Sequence, residues 1–191
     1  NAVLGFKREG YNKFNFNLCL NTEVYFGVGI RSKLFEKIRD NGFENIGLIL
    51  DQNLSENLLV QDFISQLYKS SKLLKIGYCN ISEPTYISLE ELRDDFLDKR
   101  IQVVIGFGGG SALDMAKGMA VLFNNRGPAI SYRGFNKMTK PVLPIIGIPT
   151  TAGTGSEITP NASFIDSVEK KKMGINGNAL RPTLAFLDPE L

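Results

Sequence analysis

From residue 24 onward, short apolar runs alternate with amphipathic stretches, the pattern of a parallel sheet covered by helices. Val24 to Gly27 reads as a strand, and Arg31 to Asn41 as a helix with Leu34, Phe35 and Ile38 inward, stopped by Gly42. Ile46 to Leu50 is a buried strand. Leu54 to Ser70 follows as a helix on which Leu59, Phe63 and Leu67 repeat at helical spacing. After a strand at Leu74 to Cys79, Ser88 and Glu91 form a capping-box pattern. The helix they open carries Leu89, Leu92 and Phe96 on one face and ends near Arg100.

The run Ile101 to Phe107 is apolar and rich in β-branched residues, as a strand buried on both faces must be. It leads through Gly108, Gly109, Gly110 and Ser111 straight into a helix with Leu113, Ala116, Ala120 and Phe123 at the 3.6 period. Residues 124 to 141 are polar and read as loop. Val142 to Ile148 is a further strand, which Pro144 is expected to bend or push toward an edge. Ala162 to Asp166 and Lys171 to Ile175 pair as a hairpin across Ser167 to Lys170, and Thr183 to Leu187 is the last strand. With no repeat or linker along this series, the expectation is one α/β domain: a parallel sheet, flanking helices and a late β-hairpin, the first 20 residues serving as an edge strand or arm.

The 191 residues suffice for a full core, and 43% hydrophobic with 22% charged residues is ordinary for a globular chain. A net charge of +2 with scattered basic residues leaves no footprint for nucleic acid or a membrane surface. There is no His, which removes the usual general base and the commonest nitrogen ligand of zinc or iron. Neither catalytic nor metal-ligating residues are therefore assigned. Cys19 and Cys79 stand apart and read as buried thiols of a reduced, cytoplasmic compartment. The Asn1-Ala2 start, without Met, resembles the scar of a cleaved tag and suggests a piece of a longer product.

Two segments carry chemistry. A strand that ends in three glycines and a serine and runs at once into a helix suits a phosphate: glycine admits close approach, and the free N–H groups and positive end of the helix face the anion. It is neither a Walker A loop nor a spaced GxGxxG turn. The stretch Pro149 to Glu157 puts four hydroxyls, two glycines and a carboxylate at the carboxyl end of a strand, where open α/β sheets bind ligands. Asp51, just past a strand, suits either a ribose diol or a helix N-cap.

GFGGGSALDMAKGMA (106 to 120), IPTTAGTGSEITP (148 to 160) and RPTLAFLDPEL (181 to 191) together resemble the iron-containing, or group III, alcohol dehydrogenase family of the dehydroquinate-synthase-like fold. The resemblance runs from about Val24 to Leu191. It implies a Rossmann-like, dinucleotide-binding N-terminal half, the metal-bearing helical half being absent from this chain. By that likeness Gly109, Gly110 and Ser111 hold the pyrophosphate of NAD, which is preferred over NADP. Thr150, Thr151 and Thr154 line the adenine and ribose-phosphate part of the cleft, and Asp51 binds the adenosine ribose. Thr159 contacts the cofactor, Lys172 reaches toward the nicotinamide ribose and Leu191 packs near the adenine. Asp114 either touches the cofactor or stabilises the helix N-terminus, and Lys117 is spaced to pair with it.

Ser82-Glu83-Pro84-Thr85 departs from the family's usual Pro-Asn-Pro-Thr, replacing an adenine-side Asn by Glu83. The activity implied for the full enzyme is hydride transfer between a primary alcohol or aldehyde and nicotinamide, with Fe²⁺ or Zn²⁺ held by the other half and a homodimer open as the assembly. The alternatives are a dehydroquinate-synthase or glycerol-phosphate-dehydrogenase type half, and a stand-alone, non-catalytic nucleotide-binding module.

Overall fold

The structure is a computed structural model, and it describes residues 20–80 and 83–191. The expected N-terminal arm, Cys19 and Ser82 lie outside the described residues. Six strands form one parallel sheet: β1 (Glu23–Phe26), β2 (Asn45–Asp51), β3 (Leu73–Cys79), β4 (Val103–Gly108), β6 (Ile145–Pro149) and β9 (Leu184–Leu187). Their spatial order is β1-β9-β6-β4-β2-β3. A smaller sheet orders β5 (Gly134–Phe135), β8 (Lys171–Asn176) and β7 (Asn161–Asp166), with β7 and β8 antiparallel as the expected hairpin.

The period-two alternation of each inner strand sorts its side chains into two cores. Leu48, Leu50, Val103, Ile105, Phe107, Ile146 and Ile148 face one side, against Leu34 and Ile38 of α1 (Leu34–Asp40) and Val60, Phe63 and Leu67 of α2 (Leu58–Ser70). Ile49, Val104 and Ile145 face the other, against α3 (Tyr86–Asp94) and α4 (Gly110–Asn124). On that second face Gly106 keeps α4 close, since a Cβ there would come within 2.8 Å of the Ala116 Cβ. α4 is sandwiched between the main sheet and the small one, so it is apolar almost all round.

Several expectations need correction. The third helix starts at Tyr86, because the capping box is Thr85 with Ser88 at its third position, and not Ser88 with Glu91. That helix stops at Asp94, and Phe96 is buried from the turn beyond it. α2 begins at Leu58 under an Asn57 cap, preceded by a separate 3₁₀ turn; Leu59 is 39% exposed, and Val60 takes the inward place expected of it. The 31–41 helix likewise opens as a 3₁₀ turn, Ile30–Lys33. Pro144 neither bends β6 nor places it at an edge: it precedes the strand, its carbonyl accepts from Val104 N at 3.0 Å, and β6 lies between β9 and β4. Residues 124–141, read as loop, include a 3₁₀ turn at Ala129–Tyr132 and β5. No helix among the described residues is long and apolar enough to cross a membrane.

Candidate nucleotide-binding site

Connections leave β2 and β4 in opposite directions, toward β3 and toward β6, so the sheet reverses its winding between these neighbours. The crevice at the carboxyl ends of such a strand pair is where open α/β sheets take ligands. Here Asp51 ends β2 and Gly108 ends β4. Gly108 has φ +147°, and a Cβ on it would lie 2.5 Å from the Asp51 Cβ, so both conformation and contact require glycine. The Asp51 carboxylate accepts from Asn53 N at 3.0 Å and caps the following 3₁₀ turn, as one of its two expected roles requires.

Gly109 is the N-cap of α4 and supplies no side-chain acceptor, leaving the amide-rich, positive end of a 15-residue helix uncapped by a side chain. Facing it is the 149–160 loop. Thr150 N donates to Gly108 O at 3.0 Å, which anchors the loop to the end of β4. Thr151 lies beside Gly109 and Thr154 beside Gly110, where Cβ atoms would meet them at 3.5 and 3.0 Å.

Gly110, Ser111, Asp114, Thr154, Thr159 and Lys172 share one cleft of about 330 Å³, together with Pro84, Ser156, Asn161 and Ser163. Thr150, Thr151 and Asp51 stand outside that lining, around Gly108 and Gly109. Leu191 packs against the core cluster on the α1 and α2 side of the sheet. Lys172 pairs with Glu83 at 3.3 Å, both side chains about half exposed. The residue that departs from the family pattern thus meets the lysine expected to face the nicotinamide ribose.

Asp114 sits just past the first turn of α4, which holds no acidic residue. It lines the cleft, and its carboxylate accepts from Ser156 Oγ at 2.7 Å and from Ser163 N at 2.9 Å, joining α4 to the loop and to β7. Lys117 is 4.0 Å from it, but the ammonium's nearer partners are Asn161 O (2.8 Å), Ser156 Oγ (2.9 Å) and Thr159 O (3.0 Å). It is 0% exposed. Burial pushes the Lys117 ammonium down to about 8 against the pull of Asp114 and Glu157, and Arg181 lowers it further. The sequence spacing pointed only to a pairing with Asp114; the signal for burial was the lysine's place within a helix apolar almost all round.

Order and switch point make this a Rossmann-like α/β protein with a glycine turn and a hydroxyl-rich loop at the crevice. The family model of iron-containing alcohol dehydrogenases matches residues 21–189, and the chain belongs to that family. It is 39% identical over 175 residues to the NAD-dependent methanol dehydrogenase of Bacillus methanolicus, covering 92% of this chain and 46% of that protein. It is 36% identical over 154 residues to the sulfoacetaldehyde reductase of Bilophila wadsworthia, covering 81% of this chain and 37% of the relative. Among solved structures, an iron-containing alcohol dehydrogenase from Thermotoga maritima superposes with a TM-score of 0.80 at 28% identity, over 92% of this chain and 48% of that one. An alcohol dehydrogenase from Oenococcus oeni gives 0.84 at 25% identity, over 92% and 46%. The chain thus spans less than half the length of these relatives.

Proposed function

We propose that this chain is the dinucleotide-binding half of an NAD-dependent dehydrogenase that interconverts a small alcohol and its aldehyde. The observation that carries the reading is the N-terminus of α4, free of a side-chain cap, at the reversal point of the sheet and faced by the hydroxyls of the 149–160 loop. Two oriented dipole sources, the helix end and the loop, converge on one crevice, which is what a pyrophosphate needs. The relatives' names add NAD as the nucleotide and alcohols or aldehydes as substrates.

When bound, NAD supplies the hydride acceptor or donor; the chain's own residues bind and orient it. In this reading the backbone of Gly109, Gly110 and Ser111 holds the pyrophosphate, and Asp51 accepts from the adenosine ribose. Thr150, Thr151 and Thr154 flank the adenosine side. Asp114, Thr159 and Lys172 lie toward the nicotinamide end, with Lys172 shared between the cofactor and Glu83. The Leu191 side chain, seated on the core, offers an apolar contact to the adenine.

The family's name implies iron, but the donor set of this chain does not suit it. There is no His in the sequence, and no group of three or more His, Cys, Asp or Glu residues among those described could hold a metal ion. No step here is routed through a metal. Metal binding and the substrate pocket fall to a second, helical domain in this reading.

The test is titration of the chain with NADH, following nicotinamide fluorescence, for the wild type and Gly110→Val. A side chain at Gly110 would fill the space between the helix end and Thr154. Expected are saturable binding by the wild type and none by a folded Gly110→Val protein. Normal binding by that variant would remove the phosphate role from the turn.

A further inference from the structure

We infer that Lys117 is a positioning residue for the nucleotide site: from beneath the cleft it holds the 149–160 loop in the shape that faces the cofactor. The inference rests on the nucleotide reading above and adds a residue that touches no ligand. Lys117 lies two turns into α4, on the side away from solvent, and its ammonium donates to three groups spread over six residues: Ser156 Oγ, Thr159 O and Asn161 O. Thr159 Oγ1, at 3.5 Å, is within its reach as well. These acceptors belong to the loop's last turn and the first residue of β7, so one buried cation clamps the place where the loop rejoins the small sheet.

The clamp reaches the cleft through Ser156. Its hydroxyl accepts from Lys117 and donates to Asp114 at 2.7 Å, and Asp114 in turn accepts from Ser163 N. Ser156, Thr159 and Asn161 all line the cleft. Asp114 lines it too, and its negative charge would repel a pyrophosphate if it stood alone; the ammonium 4.0 Å away offsets it. Glu157 and Arg181 are the other charged groups acting on Lys117, pulling in opposite directions. Arg181 is itself held to the loop, donating to Ile158 O at 2.7 Å.

The clamp has two consequences, of which the second separates it from plain structural support. First, Lys117→Met leaves Asp114 uncompensated and three acceptors of the loop and β7 unserved, so it should lower the melting temperature as well as release the loop. Second, the grip depends on charge. A neutral amine has two N–H donors for the acceptors that an ammonium serves with three, and it no longer offsets Asp114. Lys117 titrates near pH 8, so nucleotide affinity should weaken as pH rises through that value.

The experiment measures the Kd for NADH at pH 7.0 and pH 9.5, with circular dichroism and thermal melting alongside, for wild type, Lys117→Met and Ser156→Ala. Expected for the wild type is about tenfold weaker binding at pH 9.5 than at pH 7.0, the effect of one proton taken up with the ligand. Lys117→Met, measured below its lowered melting temperature, should bind about tenfold more weakly than wild type at pH 7.0 and lose the pH dependence. Ser156→Ala, which cuts the link to Asp114 but keeps the ammonium, should bind more weakly and keep the pH dependence; it decides the matter if Lys117→Met does not fold. Wild-type affinity in either folded variant, or a pH profile unchanged in Lys117→Met, would overturn the positioning role. Failure of the wild type to bind NADH at all would instead overturn the nucleotide reading, and this inference with it.

Discussion

Asp51 shows how much one carboxylate can be asked to do. It ends β2, caps the next turn through Asn53 N, and lies against Gly108, so its position is dictated by backbone contacts on two sides. In the proposed nucleotide reading, a fixed acid at this point would accept from a ribose 2′-hydroxyl and repel a 2′-phosphate. The expected outcome is a preference for NADH over NADPH in the wild type and a smaller one in Asp51→Gly, read from paired fluorescence titrations. Equal affinity of the wild type for both would show that Asp51 does not face the ribose. The acid at the strand end was legible in the sequence, since it closes an apolar run. The burial of Lys117 was not, because pairing at three-residue spacing explained it without reference to the loop 39 residues away that receives its proton donors.

At the scale of elements, a buried acid ties the edge strand of the sheet to its neighbour. Asp188, just past β9, accepts from Gly29 N at 3.0 Å, Arg31 Nη1 at 2.6 Å and Arg31 N at 3.3 Å. This fastens the turn after β1 to the strand beside it. Burial opposes the Asp188 charge, but the bonds from Glu190 N, the Arg31 guanidinium and Gly29 N outweigh it and hold the carboxyl below its ordinary value of 3.8. A carboxyl held low in the folded state stabilises fully above its unfolded value and loses that contribution as pH falls through the folded one. Asp188→Asn should therefore cost about 2 kcal/mol at pH 7, measured by urea unfolding. The cost should shrink below about pH 4, where the carboxyl of the unfolded chain begins to protonate, and go on shrinking as pH falls toward the lower folded value. Equal destabilisation at pH 7 and pH 3 would mean that the charge plays no part. The motif containing Asp188 stood out in the sequence, but its partner lies 157 residues earlier, and no local pattern announces such a pairing.

For the whole molecule, the reading predicts binding without turnover. Hydride transfer needs the alcohol held against a shielded nicotinamide, and the described cleft is bounded by α4, the 149–160 loop and the small sheet. The purified chain with NADH or NAD⁺, short primary alcohols or aldehydes, and added Fe²⁺ or Zn²⁺ should show no turnover above a protein-free control. Metal-dependent turnover would reveal a site outside the residues assigned here. What the sequence by itself determined was the succession of strands and helices, the burial of the central strand on both faces, and two segments rich in glycine and hydroxyls at strand ends. Each of these rests on interactions between residues near in the chain: apolar periodicity, glycine at a turn, a helix beginning where a strand ends. Its errors fell at boundaries, where Thr85 took the capping place read for Ser88 and Asn57 started α2 later than Leu54, and at Pro144, whose effect depends on the strand's exact first residue. Only the tertiary structure decided the strand order, with β6 interior and β1 at the edge, because any parallel strand of matching polarity satisfies the same local pattern. It alone turned Asp114, Ser156 and Lys117 into one network. A polar side chain inside a protein must find partners wherever packing delivers them, and packing here delivers them from a loop and a strand that meet only after the sheet has closed over α4.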